Sequence, residues 1–121
     1  MKLQHIEIFK LHAEFCKTLS HPTRLMILAL LAKKELSVGE MVEAIGKSMA
    51  NISQHLRALR SQHIVRTKKD GQTVYYRISD PRLMDACMLI RSVLLDDLKK
   101  RGMVAQDFTS DSVVVENETI I

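Results

Sequence analysis

The hydrophobic period of this chain changes near residue 63, and that change constrains the fold more than any other feature. Residues 37–45 and 48–62 repeat apolar side chains every three or four positions, as amphipathic helices do. Residues 64–68 and 73–78 are instead rich in β-branched and aromatic residues, and the Asp70-Gly71 pair between them is a hairpin turn signal. Because only Gly46 and Lys47 separate the two helices, we expect a helix-turn-helix followed directly by a β-hairpin.

The segments on either side of this unit are predicted to be helical as well. Residues 6–19 place apolar side chains on one face, and residues 22–31 are apolar on most sides, which is typical of a buried helix. Residues 80–100 form a long helix with one broad apolar face. The order of elements predicts a mostly α-helical fold with a β-hairpin wing, a winged helix-turn-helix, in one domain over residues 1–101.

The composition fits one small globular domain with an aliphatic core. The chain has 121 residues, of which 46% are hydrophobic and 4% aromatic. Its longest apolar stretch, residues 25–32, is far shorter than the roughly 20 residues that span a bilayer. Residues 1–9 lack the apolar region of a signal peptide, so we expect a cytoplasmic protein.

The charge is unevenly distributed along the chain. All 18 lysines and arginines precede residue 102, against ten of the 14 acidic residues, so the first 101 residues carry a net charge of +8. Residues 102–121 carry −4 and are predicted to be an acidic tail. Residues 44–69 contain six basic residues and no acidic one. A basic block of this kind suits a polyanion such as nucleic acid, although charge alone leaves an ordinary solvated surface open.

The helix predicted at residues 48–62 has two faces that differ in chemistry. Ile52, Leu56 and Leu59 are expected to face inward. The residues expected to face outward or to flank the core are Ser48, Asn51, Ser53, Gln54, His55 and Arg57. Amide and hydroxyl side chains of this kind pair with base edges, and an acidic residue would be repelled by phosphates. We therefore expect this helix to enter the major groove of double-stranded DNA.

The remaining basic residues are predicted to contact the DNA backbone. Arg57 and Arg60 lie on the same helix and are expected to contact phosphates rather than bases. Arg66, Lys68 and Lys69 lie on the predicted hairpin, from which they would reach a phosphate strand or the minor groove. Together these residues predict a DNA interface that consists of a reading helix and a basic wing.

Four linked motifs resemble those of the ArsR/SmtB family of winged-helix repressors. They are residues 19–25 (LSHPTRL), 35–40 (ELSVGE), 51–60 (NISQHLRALR) and 71–78 (GQTVYYRI), and the likeness covers roughly residues 10–98. The resemblance implies a homodimer that pairs through helices 6–19 and 80–100 and represses transcription from a near-palindromic operator until an inducer releases it. By residue match it places DNA contact on Ala50, Ser53 and Gln54, with Ser48, Met49, Asn51 and His55 as neighbours.

Two metal sites known in that family lack their ligands in this sequence. The first uses a pair of cysteines on the first helix of the helix-turn-helix, and Ser37 and Gly39 occupy those positions. The second needs a histidine two residues after an aspartate, and Arg82 follows Asp80 there. A serine hydroxyl is a poor ligand for a soft metal, and a guanidinium cannot replace an imidazole. We therefore expect no metal and no cofactor at these positions.

The two cysteines, Cys16 and Cys87, are candidates for sensing because they fall on the first and the last helix. Three interpretations stay open. They are two buried small hydrophobic residues, or a thiol pair that responds to an oxidant or sulfur species, or part of a soft-metal or metalloid site with His12, Met84 and Met88. The second interpretation requires exposed thiols of lowered pKa that lie close together.

Other classes of function are weighed against DNA binding. The sequence has no glycine-rich phosphate loop and no Gly-x-Ser-x-Gly or His-Glu-x-x-His motif, so we do not expect an enzyme. A winged helix can also bind protein, and an interaction module is therefore an alternative. A constitutive repressor with no inducer is another.

Overall fold

A computed structural model describes residues 5–102 of the chain. Its elements, in chain order, are α1 (Ile6–Leu19), α2 (Pro22–Leu31), β1 (Leu36–Ser37), α3 (Val38–Ile45), α4 (Met49–Ser61), β2 (Val65–Asp70), β3 (Thr73–Ile78) and α5 (Arg82–Lys100). This is the mostly helical fold with a β-hairpin wing that the sequence predicts. The predicted acidic tail lies outside the described residues except for Gly102.

Local side-chain contacts set the ends of the short helices. Pro22 occupies the first turn of α2, and the His21 side chain caps that helix by accepting a hydrogen bond from the Thr23 amide over 3.1 Å. At α3, the Ser37 hydroxyl accepts from the Glu40 amide while the Glu40 carboxylate accepts from the Ser37 amide. This is the capping box that the sequence predicts.

The turn between α3 and α4 depends on a glycine. Gly46 ends α3 with φ of 80°, a left-handed conformation that glycine adopts at little cost. Only Gly46, Lys47 and Ser48 lie between α3 and α4, so the two helices are held close together as a helix-turn-helix.

The wing is part of a three-stranded antiparallel sheet in the order β1-β3-β2. Pairing in the hairpin continues to Asp70 opposite Thr73, so β2 is longer than predicted and only Gly71 and Gln72 form the loop. Gly71 has φ of 64°, which suits so short a connection. The sequence analysis missed β1, because two residues are too few to show a period.

The hydrophobic core lies between α2, α3, α4 and the sheet. Its fully buried side chains are Ile27, Leu28, Met41, Ile52, Leu56, Leu59, Ile64 and Val65. Neither α1 nor α5 contains a buried residue, although both carry many large apolar side chains. Within residues 5–102, no helix combines the length and the apolar character needed to cross a membrane.

Candidate nucleic-acid interface

Helix α4 is anchored on one side and exposed on the other. Ile52, Leu56 and Leu59 are at most 1% exposed and fix the helix against the core. Its first turn is capped by Ser48, whose hydroxyl accepts a hydrogen bond from the Asn51 amide over 3.1 Å. The exposed residues of α4 and its cap are Ser48, Met49, Ala50, Gln54, Arg57, Arg60 and Ser61. Short uncharged side chains therefore begin the exposed face and arginines follow them.

Two of the predicted DNA-contacting residues lie at the edge of the exposed face. Asn51 and Ser53 are half-buried. The Asn51 Oδ1 atom is buried, and among the described residues it has no hydrogen-bond partner. These side chains flank the core, as the sequence analysis allowed.

His55 does not lie on the exposed face of α4, although it was predicted among the DNA-contacting residues. The side chain is 8% exposed. Its Nδ1 atom accepts a hydrogen bond from Arg24 Nε over 3.1 Å, and its ring centroid lies 4.3 Å from that of His21. His55 lies three residues after the buried Ile52 and four residues before the buried Leu59, so its side chain shares their inward face. The contact with Arg24 joins residues 31 positions apart, and no local sequence pattern predicts it.

The wing presents basic side chains to solvent. Arg66, Lys68 and Lys69 are all exposed, and because consecutive residues of a strand point to opposite faces, Lys68 and Lys69 lie on different sides of the hairpin. The ion pairs formed within residues 5–102 join Arg82 to Asp80 and Arg101 to Asp97. Within this part of the chain, no carboxylate pairs with the cations of the wing, and they are therefore available to an anionic partner.

Asp80 is engaged by the arginine that replaces the family's metal-binding histidine. Arg82 Nη2 lies 2.8 Å from Asp80 Oδ2, and these hydrogen bonds lower the pKa of Asp80 to about 2. Over residues 5–102, no group of three or more histidine, cysteine, aspartate or glutamate side chains is arranged to hold a metal ion. The interpretation of the cysteines as part of a soft-metal or metalloid site therefore has no such cluster to support it in this part of the chain.

Cys16 and Cys87 line the same cavity, of about 260 Å³, between α1, α2 and α5. The other lining residues are Leu19, Ser20, Leu25, Ile90, Arg91 and Leu94. In the protomer, Cys16 is exposed and Cys87 is half-buried. Burial raises the pKa of the Cys87 thiol, and the predicted lowering is therefore not met at Cys87.

A helix-turn-helix whose second helix exposes hydrogen-bonding side chains, next to a hairpin whose cations form no ion pair within residues 5–102, defines a winged helix-turn-helix DNA-binding protein. The sequence model of the arsR family of bacterial regulatory proteins matches residues 21–67. A curated relative, the uncharacterized HTH-type transcriptional regulator Rv0081 of Mycobacterium tuberculosis, is 39% identical over 101 residues, which cover 83% of this chain and 89% of the relative. The chain belongs to the arsR family.

Solved structures agree with this assignment. The crystal structure of Rv0081 matches with a TM-score of 0.72 at 39% identity and covers 78% of this chain and 95% of its own. BigR from Xylella fastidiosa, described as a transcriptional repressor, matches with a TM-score of 0.65 at 33% identity over 75% of this chain and 93% of its own. Mb0332 from Mycobacterium bovis, described as a homodimeric winged helix-turn-helix DNA-binding domain, matches with a TM-score of 0.73 at 26% identity over 89% of this chain and 97% of its own. These proteins are regulators and not enzymes, which confirms the prediction for this chain.

Proposed function

We propose that this protein is a cytoplasmic transcriptional repressor that binds a near-palindromic DNA operator as a homodimer and is released by an inducer. The observation that carries the proposal is that α4 exposes a face without acidic residues beside a basic wing. The opposite, apolar face of α4 is buried in the core and holds the helix in place. Residues 1–101 supply DNA binding and dimerisation in this proposal. Gln54 and Ala50 read base edges, and Arg57, Arg60 and the wing cations contact phosphates.

Dimerisation through α1 and α5 is supported by apolar surface that the protomer leaves uncovered. On α5, the side chains of Leu89, Ile90, Val93 and Leu94 are 69%, 70%, 65% and 52% exposed. On α1, Ile8 and Leu11 are each 59% exposed. Large apolar side chains exposed together on one helix mark an interface, and a two-fold dimer is the commonest way to cover them. The resemblance to the Mb0332 domain, which is described as homodimeric, supports a homodimer.

Binding to a selected DNA duplex tests this proposal. The protein is used to select duplexes from a random library, and the best duplex is then titrated in a gel-shift assay with Gln54→Ala as the variant and Gln72→Ala, in the hairpin loop, as the matched control. We expect an inverted repeat whose half-sites lie about one helical turn apart, and a loss of affinity for Gln54→Ala that exceeds the loss for Gln72→Ala. Enrichment of no sequence at physiological salt would favour the protein-interaction module instead.

The inducer is proposed to act on Cys16 and Cys87, because both thiols line one cavity beside the proposed dimer helices. The exposed Cys16 thiolate attacks the outer sulfur of a persulfide and takes it up, with release of a thiolate. The Cys87 thiolate then attacks Cys16 Sγ, the Cys16–Cys87 disulfide forms, and hydrogen sulfide leaves. The two cysteines lose two electrons in total and the persulfide gains them. Such a bridge would change how α1 and α5 pack, and with them the spacing of the two α4 helices.

Single serine variants test the inducer proposal separately from DNA binding. Wild-type protein treated with glutathione persulfide should lose two hydrogens by mass spectrometry and release its selected duplex. Cys16→Ser and Cys87→Ser should bind that duplex normally before treatment and keep it afterwards. If both variants are released like the wild type, the thiols are not the sensor. If none of the three proteins is released, the constitutive or the metal-responsive alternative is favoured, and arsenite and Cu(I) are then tested on the same duplex.

A further inference from the structure

His21, Arg24 and His55 form a cluster that joins α4 to the turn between α1 and α2. Arg24 Nε donates to His55 Nδ1 over 3.1 Å, and Arg24 Nη1 donates to the Thr18 carbonyl oxygen in α1 over 3.0 Å. The two imidazole rings lie 4.3 Å apart. One guanidinium therefore connects the DNA-reading helix to a helix of the proposed dimer interface.

Both histidines of the cluster act as hydrogen-bond acceptors. His21 Nδ1 accepts from the Thr23 amide, and His55 Nδ1 accepts from Arg24. An imidazole that accepts at Nδ1 is neutral and carries its proton on Nε2. Protonation of His55 at Nδ1 would remove its hydrogen bond to Arg24.

Within residues 5–102, the groups that act on His55 all disfavour a positive charge on its imidazole. The side chain is buried, and burial is the main reason that its pKa is lowered. The charged or titratable groups that act on it are His21 and Arg24 on the side of α2 and Lys47 from the turn before α4, and each of them lowers the pKa further. Helix α4 itself contains no acidic residue. A proton on His55 would therefore add a cation beside Arg24 where a hydrogen bond had been.

We propose that neutral His55 is a positioning residue for α4, held through Arg24, and that acidification releases this contact and weakens operator binding. The inference rests on the proposed function, because it concerns how the operator-reading helix is held. The direction of the expected pH effect distinguishes this proposal, because acidification in general adds positive charge to a protein and strengthens its binding to DNA. If binding requires His55 to be free of its proton, operator affinity falls by up to about tenfold per pH unit below the pKa of the folded state.

The full chain and its selected duplex provide the test. The dissociation constant is measured from about pH 8 to about pH 5.5 at constant ionic strength, and circular dichroism checks the fold at each pH. The wild type should lose affinity as the pH falls. The double variant His21→Asn/His55→Asn keeps an acceptor at each position and cannot titrate there, and asparagine is a favoured helix cap. It is compared with the wild type by the slope of its own pH profile, which should be flat or rising on acidification whatever its affinity at high pH.

His63→Asn is the matched control. His63 is exposed and has φ of 58°, a conformation that asparagine tolerates. It should keep the wild-type profile. An undiminished wild-type affinity at low pH would overturn the proposal, and so would a double variant that falls as steeply as the wild type. If the wild type binds no duplex at about pH 8, that result counts against the proposed function instead.

Nuclear magnetic resonance of the wild type keeps the proposal testable even if the double variant does not fold. The ring nitrogens of His55 should report a neutral imidazole with its proton on Nε2 near neutral pH, and the α4 amide signals should shift with the His55 titration. A proton on Nδ1, or α4 signals that do not follow that titration, would overturn the proposal.

Discussion

Replacing Ile90 with lysine should split the proposed dimer without unfolding the protomer. Ile90 is 70% exposed, so most of its side chain is free to be covered by a partner. Burying an isoleucine completely contributes roughly 1.5–3 kcal/mol, so covering that exposed part contributes roughly 1–2 kcal/mol per protomer. A two-fold dimer loses this contribution twice, which is roughly 2–4 kcal/mol, and its dissociation constant should rise at least about 30-fold.

Sedimentation equilibrium over a range of protein concentrations measures this change. Val74→Lys is the control, because it makes the same kind of substitution at an exposed apolar residue of the wing, 38% exposed, which lies outside the proposed interface. The control should dimerise like the wild type, and both variants should keep the wild-type circular dichroism. An Ile90→Lys protein that dimerises as tightly as the wild type would refute the assignment of α5 to the interface.

Three further predictions concern single side chains. Gln54→Ala should weaken DNA binding by about 1–3 kcal/mol and relax specificity at one base pair of each half-site. Lys68→Ala should instead weaken binding to all sequences and reduce the salt dependence of binding. Duplex selection and salt titration distinguish the two variants, and equal effects would contradict the assigned roles. Ser37→Ala should lower the free energy of unfolding by about 1 kcal/mol in urea, because the cap of α3 is lost, and no change would contradict that role. In Arg82→Ala the pKa of Asp80 should rise from about 2 toward 3.8. A carboxylate whose pKa is lowered in the folded state contributes its full stabilisation above its ordinary pKa and loses it as the pH falls through the lowered pKa. Any stability advantage of the wild type should therefore vanish as the pH falls toward 2, and an Asp80 titration that does not move in nuclear magnetic resonance would exclude the pairing.

The order of helices and the wing could be predicted because each segment carries its own local signal. Ser37 with Glu40, Pro22 and Gly46 mark helix ends through contacts within a few residues, and the structure places all of them as expected. The strand Leu36–Ser37 was missed because it forms only by pairing with Tyr76 and Tyr75, far along the chain. Pairing at that distance leaves no period in so short a segment.

The candidate site was predictable only in part, for the same reason. The inward positions of α4 follow from its spacing, and Ile52, Leu56 and Leu59 are buried as predicted. His55 was assigned to the DNA because it neighbours Ser53 and Gln54, which the family resemblance places at the DNA. Its partner Arg24 lies 31 positions earlier in the chain, and no helical period reveals such a contact. The shared cavity of Cys16 and Cys87 likewise depends on how α1 and α5 pack, which the sequence does not specify locally.

Methylation interference on the selected duplex tests most directly whether α4 reads DNA. Methyl groups on guanine N7 occupy the major groove, where the exposed face of α4 is proposed to lie. The account predicts two clusters of interfering guanines related by two-fold symmetry and centred about 10 base pairs apart, with the inner signals weakened in Gln54→Ala. One cluster only, or a pattern that Gln54→Ala leaves unchanged, would contradict it.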